Sequence, residues 1–504
     1  MYHTHNEYLN GTILHSLFPS FVRTLPSVST NSFSNRANLV SGVGAPLAAW
    51  QVMFRRWEPI VHLNGGTLAM REAMYKYLPK AEGEEDDIYY NRLTKSVLFG
   101  AYSRTVKTLS AMPFMTPMTI TDLPESLEYL LKDCSGEGET LAAFAKTLVE
   151  DLLNFGKCHF LVEYPEVDED LNAAQELELN IRPYFSRVHP MKLIGWKYSK
   201  VGSQKILDEI RVFEDVVEET DDWEEKHLQQ VHVIRPGLVS IYENDVEGKK
   251  PQGGKPKAEY KLKEERVTST EKLMLVTVYA NKTGYQEAAP CLEELAWLNI
   301  LHFQKTSDLD NIEHVCNVPM SYALGLTPEE MDKVRFSPHT MLKTGRGPSE
   351  VEFGFLEHSG NAIPASQASI KDLEARMLAM GAEALTPRGT STRETGVAKT
   401  LDNTKATSIL QQLVEALERG IEEGFSYAGE WMDVDASQTK VNIGDKISLT
   451  TDANIAAHLI GLAQNGNMSM EDLGENFKSK KFILESTELK EGQPPQETQQ
   501  NIEE

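Results

Sequence analysis

Cys291-Leu-Glu-Glu-Leu-Ala-Trp-Leu-Asn-Ile-Leu-His-Phe303 is the stretch on which the fold turns. Leu292, Leu295, Trp297, Leu298, Ile300, Leu301 and Phe303 fall on most sides of a helix expected over 291–313. A helix that is apolar nearly all round has to be buried among neighbours. Phe303 ends the apolar run, and Lys305, Asp308 and Asp310 follow. A small insert is expected from Val315 to about Gly360. A second helix, 365–385, then places Ile370, Leu373, Met377 and Met380 on one face. Thr386-Pro-Arg-Gly-Thr-Ser-Thr-Arg393 does not suit a helix. Beyond it, Leu410, Leu413, Leu417, Ile421, Phe425, Ala428 and Met432 mark a third, long helix. None of these segments carries a catalytic constellation; what they encode is shape.

Outward from this centre, residues 1–44 are rich in Ser, Asn, Thr and Gly and lack a period, so they read as an arm. From Ala48 to Pro117 the pattern is helical. Trp50, Phe54 and Trp57 open it, a turn falls at Asn64-Gly65-Gly66, and one helix is expected over 88–112. Leu141, Phe144, Leu148, Leu152 and Phe155 give a helical face stopped by Gly156, before a strand at 159–164. Strands follow at 184–188, 193–198, 206–214, 229–235, 238–243 and 273–279, with an exposed loop at 248–257. Inside the insert, Thr327-Pro-Glu-Glu330 is an N-terminal capping signature, and strands are expected at 340–344 and 351–356. After Met432 come a strand at 441–449, short helices to about Phe477 and an acidic Gln/Pro-rich tail, 485–504.

The bulk properties narrow the function. At 504 residues, with 40% apolar and 25% charged residues, the chain suits a multi-part globular subunit. The net charge of −25 excludes simple DNA coating, which needs an excess of Lys and Arg. The four cysteines, Cys134, Cys158, Cys291 and Cys316, are scattered and read as free thiols. No apolar run reaches the ~18 residues of a membrane span, and no secretory signal is expected. Gly156-Lys157-Cys158 follows a helix, has Asp151 where a phosphate loop needs glycine, and lacks the Ser or Thr after its lysine. His3 and His5 make a poor metal pair, and the acidic run 218–225 around Trp223 reads as a solvated loop. No metal, no cofactor and no enzymatic activity are therefore expected. Cations with little acid nearby cluster at Lys333, Arg335, His339, Lys343 and Arg346, and again at Arg388, Arg393 and Lys399. They suit either ordinary surface charge or contact with phosphate or an acidic partner.

The order helix, insert, helix, loop, long helix resembles the stem, clip, stem, tunnel loop and following helix of tailed-bacteriophage portal proteins. It is closest to a portal family long known only as a domain of unknown function. Further points of resemblance are Leu78-Pro79, Tyr89-Tyr-Asn-Arg-Leu93, Gly156-Lys-Cys-His-Phe-Leu-Val-Glu-Tyr-Pro165, Arg182-Pro-Tyr184 and Ile194-Gly-Trp196. Asn299 to Pro319, Glu394-Thr-Gly-Val-Ala-Lys399 and Leu413 to Trp431 extend it, so that it covers about 46–434.

The resemblance implies an α+β portal fold. Its parts are an N-terminal arm (1–45), an α/β wing (46–289), a stem helix (290–313), a clip (314–362), a second stem helix (363–385), a tunnel loop (386–398), a long wing helix (399–434), a crown (435–484) and an acidic tail (485–504). It implies a self-assembled ring, a dodecamer, at one capsid vertex of the virion, put together in the host cytoplasm. Double-stranded DNA would pass through non-specifically during packaging and ejection. The partners implied are the terminase large subunit, head–tail adaptor and tail proteins, and the major capsid and scaffolding proteins. Arg388, Thr390, Ser391, Thr392 and Arg393 would face the DNA, and Lys333, Arg335, Lys343 and Arg346 would dock partners. An acidic channel wall repels phosphates and lets the duplex slide. Two other readings stay open: another ring-forming head–tail assembly protein, and an enzyme with a cryptic α/β site in 140–280.

Overall fold

The computed structural model describes residues 42–165, 181–219, 225–245, 260–268, 272–317, 320–325, 352–356, 362–381 and 396–444, with Thr270 and Thr327. Helix α1 (Ala48–Asn64) buries Trp50, Met53, Phe54 and Trp57, a one-sided spacing that turns its aromatic face inward. The indole N–H groups are taken up at once: Trp50 donates to the Met191 carbonyl at 3.1 Å and Trp57 to the Phe155 carbonyl at 3.1 Å. The short α2 (Gly66–Glu72) follows, then α3 (Asp86–Lys95) and α4 (Ala101–Ala111).

The sequence reads as one helix over 88–112; the structure divides it at 96–100. The physical reason is tertiary. Arg71 donates to the Ser96 carbonyl at 2.9 Å, and the Leu98 N–H donates to the Thr67 hydroxyl at 3.2 Å. Asn299 donates to the Phe99 carbonyl at 2.8 Å. Side chains from elsewhere thus claim backbone groups that a continuous helix would have paired internally.

Strand β1 (Thr119–Thr121), α5 (Tyr129–Lys132) and α6 (Leu141–Phe155) lead into the centre of the body. Thr140 caps α6 by accepting from the Ala143 N–H, and Gly156 ends it in the left-handed region at φ 75°. A side chain at Gly156 would also strike the Ala289 carbonyl oxygen, 1.9 Å from an added Cβ. Strand β2 (Lys157–Glu163) is central in an antiparallel three-stranded sheet, between β3 (Tyr184–Val188) and the later β9. A five-stranded meander follows in simple order: β4 (Leu193–Val201), β5 (Gln204–Glu219), β6 (Glu225–Arg235), β7 (Leu238–Asp245) and β8 (Lys261–Val267). Strand β8 is charged and exposed along nearly its whole length, so no apolar alternation marks it in the sequence. The expected acidic loop is shorter than 218–225, because Glu218, Glu219 and Glu225 lie in β5 and β6.

Strand β9 (Leu275–Tyr279) and the small ribbon β10 (Lys282–Gly284) and β11 (Glu287–Ala288) lead to α7 (Glu293–Cys316). Strands β12 (Met320–Leu324) and β13 (Glu352–Leu356) pair antiparallel, and α8 (Ala362–Ala379) returns along α7. Helix α9 (Gly396–Trp431) and β14 (Lys440–Asn442) complete the described chain. Helix α7 therefore continues past residue 313, and α9 begins inside the loop expected at 386–398. Of the strand expected at 441–449, residues 441–442 lie in β14, which begins at Lys440 and pairs with β1 from Thr119 to Thr121, and residues 445–449 lie outside the described residues. Residues 440–442 thus form a two-stranded sheet with β1.

Two cores result. One packs α4, α6, α7, α8 and α9 around Phe160, Phe185, Phe303, Leu417 and Phe425. The other sits between α1 and the meander, around Trp50, Trp57, Trp196, Phe213 and Val233. Helix α9 lies directly on the three-stranded sheet because Gly420 and Gly424 carry no side chain there. An added Cβ would meet Val278 Cγ2 at 2.3 Å and Phe160 Cε2 at 2.7 Å, respectively. Replacing Gly424 by Ala raises helix propensity by about 1 kcal/mol but forces overpacking that costs about 1–3 kcal/mol. Gly424→Ala is expected to lower the denaturant midpoint with an unchanged slope; a higher midpoint would show that the sheet yields freely.

Candidate functional site

The candidate site is the surface of the α7–α8 hairpin, and it is built by what covers α7 and what does not. At about 1.5 Å per residue the 24-residue α7 is about 36 Å long. Its first turn is tied to α1, where Arg56 Nε donates to Glu293 at 2.9 Å. Asn299, Phe303 and Ser307 turn toward the 96–100 segment and α4. Asn299 accepts from the Tyr102 N–H at 2.9 Å while donating to the Phe99 carbonyl, and Ser307 meets the Ser96 hydroxyl at 2.8 Å. Gln304 donates to the Tyr77 carbonyl at 2.9 Å. Toward α8, His302 lies 3.2 Å from Glu374, Lys305 donates to Ser369 at 2.6 Å, and Gln367 donates to Glu313 at 3.1 Å. Near its far end, Arg92 is held between Glu84 at 2.8 Å and Asp308 at 3.4 Å. The hydrogen bond from Arg92 holds the Glu84 carboxyl below its usual range.

Part of what remains uncovered on α7, beside the exposed Glu294, Asp308, Asp310 and His314, is apolar. Trp297 is 51% exposed and Leu301, one turn on, is 38% exposed. Positions two apart on a helix point about 160° from one another. The Trp297 face is therefore roughly opposite the Asn299 face that meets the body. A second apolar patch surrounds the 96–100 segment, where Phe99 is 47%, Val97 61% and Leu68 67% exposed. The Phe99 ring rests 5.2 Å from that of His302. Leu378 on α8 is exposed as well, and so is Met380 just beyond it, which the sequence places on the packed face. Leu373 and Met377 are the fully buried residues of α8 among its described side chains. Apolar surface is thus exposed in two places, at Trp297 and Leu301 on α7 and at Leu68, Val97 and Phe99 on the segments packed against it.

The ribbon β12–β13 continues this hairpin at its far end, with Met320 opposite Leu356 and Leu324 opposite Glu352. The sequence shows β13 but not β12, whose Met-Ser-Tyr-Ala-Leu follows a proline and lacks alternation. The expected docking residues Lys333, Arg335, Lys343 and Arg346 lie outside the described residues. So do the expected DNA-facing residues Arg388, Thr390, Ser391, Thr392 and Arg393, the strand expected at 340–344, the arm 1–41 and the tail. Sequence reading singled out the cations and passed over Leu68, Val97 and Phe99, since scattered apolar residues next to a helix end carry no periodic signal. Among the described residues no group of three or more His, Cys, Asp or Glu side chains could hold a metal ion.

A sequence-family profile described as a domain of unknown function (DUF4055) matches residues 291–432, the stretch from α7 to the end of α9. No curated protein matches the chain. Among solved structures, the chain is similar to a chain in the neck of an empty GTA particle computed with C6 symmetry. The identity there is 10%, the TM-score 0.40, and 80% of this chain and 95% of that one are covered. A chain in the neck of a native GTA particle computed with C12 symmetry gives 10% identity and a TM-score of 0.39, over 75% of this chain and 89% of that one. A chain in the virion of a native gene transfer agent particle gives 10% and 0.38, over 79% and 94%.

Asn299 is the pin that holds the hairpin to the body. Asn299→Ala strands the buried Tyr102 N–H and removes one of the two donors to the Phe99 carbonyl, and is expected to cost about 1–3 kcal/mol in unfolding free energy. Asn299→Asp keeps the acceptor but buries a carboxylate against the Phe99 carbonyl, and is expected to lose at least as much at neutral pH. A negligible loss in Asn299→Ala, measured by denaturant titration, would show that these hydrogen bonds are not what holds the segment.

Proposed function

We propose that this protein is a portal subunit of a tailed bacteriophage. In this reading it forms a ring at one capsid vertex, through which double-stranded DNA is packaged and ejected. The observation that carries the reading is exposed apolar surface in two places around the α7–α8 hairpin, Trp297 and Leu301 on α7 itself and Leu68, Val97 and Phe99 on α2 and the 96–100 segment packed against it. Two unlike faces on one subunit favour a head-to-tail contact, in which one face of each copy meets the other face of the next. Such contacts close into rings when the rotation per step divides the circle. The two helices then line a channel, and the ribbon β12–β13 leads outward into the insert at its mouth. Helix α9, seated on the body by its glycines, joins the channel side to the outer part.

In this reading terminase and then the head–tail adaptor dock on the insert through Lys333, Arg335, Lys343 and Arg346. Arg388, Thr390, Ser391, Thr392 and Arg393 face the DNA, and capsid and scaffolding proteins contact the outer part. The net charge of −25 keeps the duplex from sticking to the wall. The subunit itself does no chemistry; nucleotide hydrolysis belongs to the packaging motor.

Two outcomes test this. The double variant Trp297→Asp, Leu301→Asp is expected to abolish ring formation in sizing and electron microscopy while leaving the thermal transition of the subunit in place. Rings that persist would remove the proposed contact. Deleting 387–392 is expected to leave rings intact and to lower packaging or retention of DNA in assembled particles. Loss of the ring would instead make that loop an assembly element, and full packaging would end its DNA-facing role.

A further inference from the structure

Lys157, His159 and Gln286 form a buried polar cluster that the channel reading does not use. Side chains two apart on a strand share a face, so Lys157 and His159 of β2 project together, and Thr277 of β9 stands directly opposite His159. Lys157 has no exposed surface. Its Nζ donates to the Gln286 carbonyl at 2.8 Å and lies 5.5 Å and 5.3 Å from the ring centroids of Trp57 and Trp196. Burial brings this amine down to about 7. His159 is equally buried, and burial holds its imidazole neutral, well below the usual range. Its Nδ1 meets the Thr277 hydroxyl at 2.9 Å, and the Gln286 amide N–H donates to the same hydroxyl at 3.3 Å.

Two atoms of this cluster are left over. His159 Nε2 and Gln286 Oε1 are the only buried side-chain polar atoms among the described residues with no protein partner. They belong to the two side chains that share the Thr277 hydroxyl. Buried polar groups are paired as a rule, with protein or with ordered water, and a water needs two to four polar partners. A lysine nitrogen with one hydrogen bond made, an imidazole nitrogen and an amide oxygen supply that number. A single water can also accept and donate at once, which suits either imidazole tautomer and the amide oxygen together.

The position of the cluster gives it a role. Gln286 sits between β10 and β11 at φ 58°, a strained conformation for a residue other than glycine, with its N–H donating to the Tyr279 hydroxyl at 3.1 Å. Immediately past that ribbon, Ala289 closes on Gly156, and the Cys291 N–H donates to the Leu153 carbonyl at 3.3 Å. Helix α7 starts at Glu293. We propose that Lys157, His159 and Gln286 enclose a bound water, and that this hydrated cluster is the joint that seats the root of α7 on the body.

The full-length protein tests this in two ways, neither of which depends on the channel reading. A density map fine enough to show other internal waters is expected to contain a peak within hydrogen-bond distance of both His159 Nε2 and Gln286 Oε1; its absence overturns the bound water. In hydrogen exchange, Lys157→Met is expected to speed exchange of amides in 282–292 by about tenfold or more while leaving α6 and β2 protected. Unchanged exchange, or a uniform rise across the body, overturns the joint. Gln286→Gly relieves the backbone strain and keeps the carbonyl that Lys157 uses, so it decides the matter if Lys157→Met does not fold. It is expected to lose the water peak and raise exchange over the same residues; an unaltered map and unaltered exchange overturn the proposal.

Discussion

An apolar helix has to be covered all the way round, and the body of this protein covers α7 only in part. Helix α1 takes its first turn, the 96–100 segment and α4 take the Asn299 face, and α8 takes the His302 face. Trp297 and Leu301 are the large apolar residues of α7 left exposed, beside the charged or polar Glu294, Asp308, Asp310 and His314. Burying a large apolar side chain is worth about 1.5–3 kcal/mol relative to leaving it in water. A helix of this composition therefore favours any arrangement that supplies its missing neighbour. The surrounding elements make that arrangement precise, because they hold α7 rigidly enough for one copy to present the same surface as the next.

That rigidity comes from polar pins rather than from more apolar area. Asn299 satisfies the buried Tyr102 N–H and bonds the Phe99 carbonyl at the point where the chain leaves helical geometry, and Arg92 of α3, held by Glu84, reaches Asp308 of α7. Gly156 permits the close approach of Ala289, and the Lys157 cluster fixes the ribbon that precedes α7. On the far side, Gly420 and Gly424 let α9 sit directly against Val278 and Phe160. Hydrogen bonds cost much when stranded and add little when made. Such pins therefore specify one geometry more than they raise stability.

Much of this was legible in the residues themselves. Periodic stripes such as Leu410 to Phe425, the stop at Gly156 and the β-branched and aromatic runs at 184–188 and 275–279 gave element types correctly, because local pattern and tertiary demand agree there. The break at 96–100 was hidden, since the bonds that make it come from Thr67, Arg71 and Asn299, one of them some 200 residues away in the chain. Strand β8 was hidden because its exposed faces need no alternation, and β12 because a pairing decides it rather than a period. At the candidate site the cations stood out in the sequence and the exposed apolar patches did not. Whether a leucine or phenylalanine is exposed depends on neighbours that only the fold supplies.

The central claim is that the uncovered faces of the hairpin meet between copies and close a ring around a channel. Electron microscopy of the purified full-length protein tests it most directly. The account predicts closed rings with a central hole of duplex width, in which Trp297 and Leu301 of each copy are buried against the next. A compact monomer at every concentration, or a ring that leaves those two side chains in solvent, would contradict it.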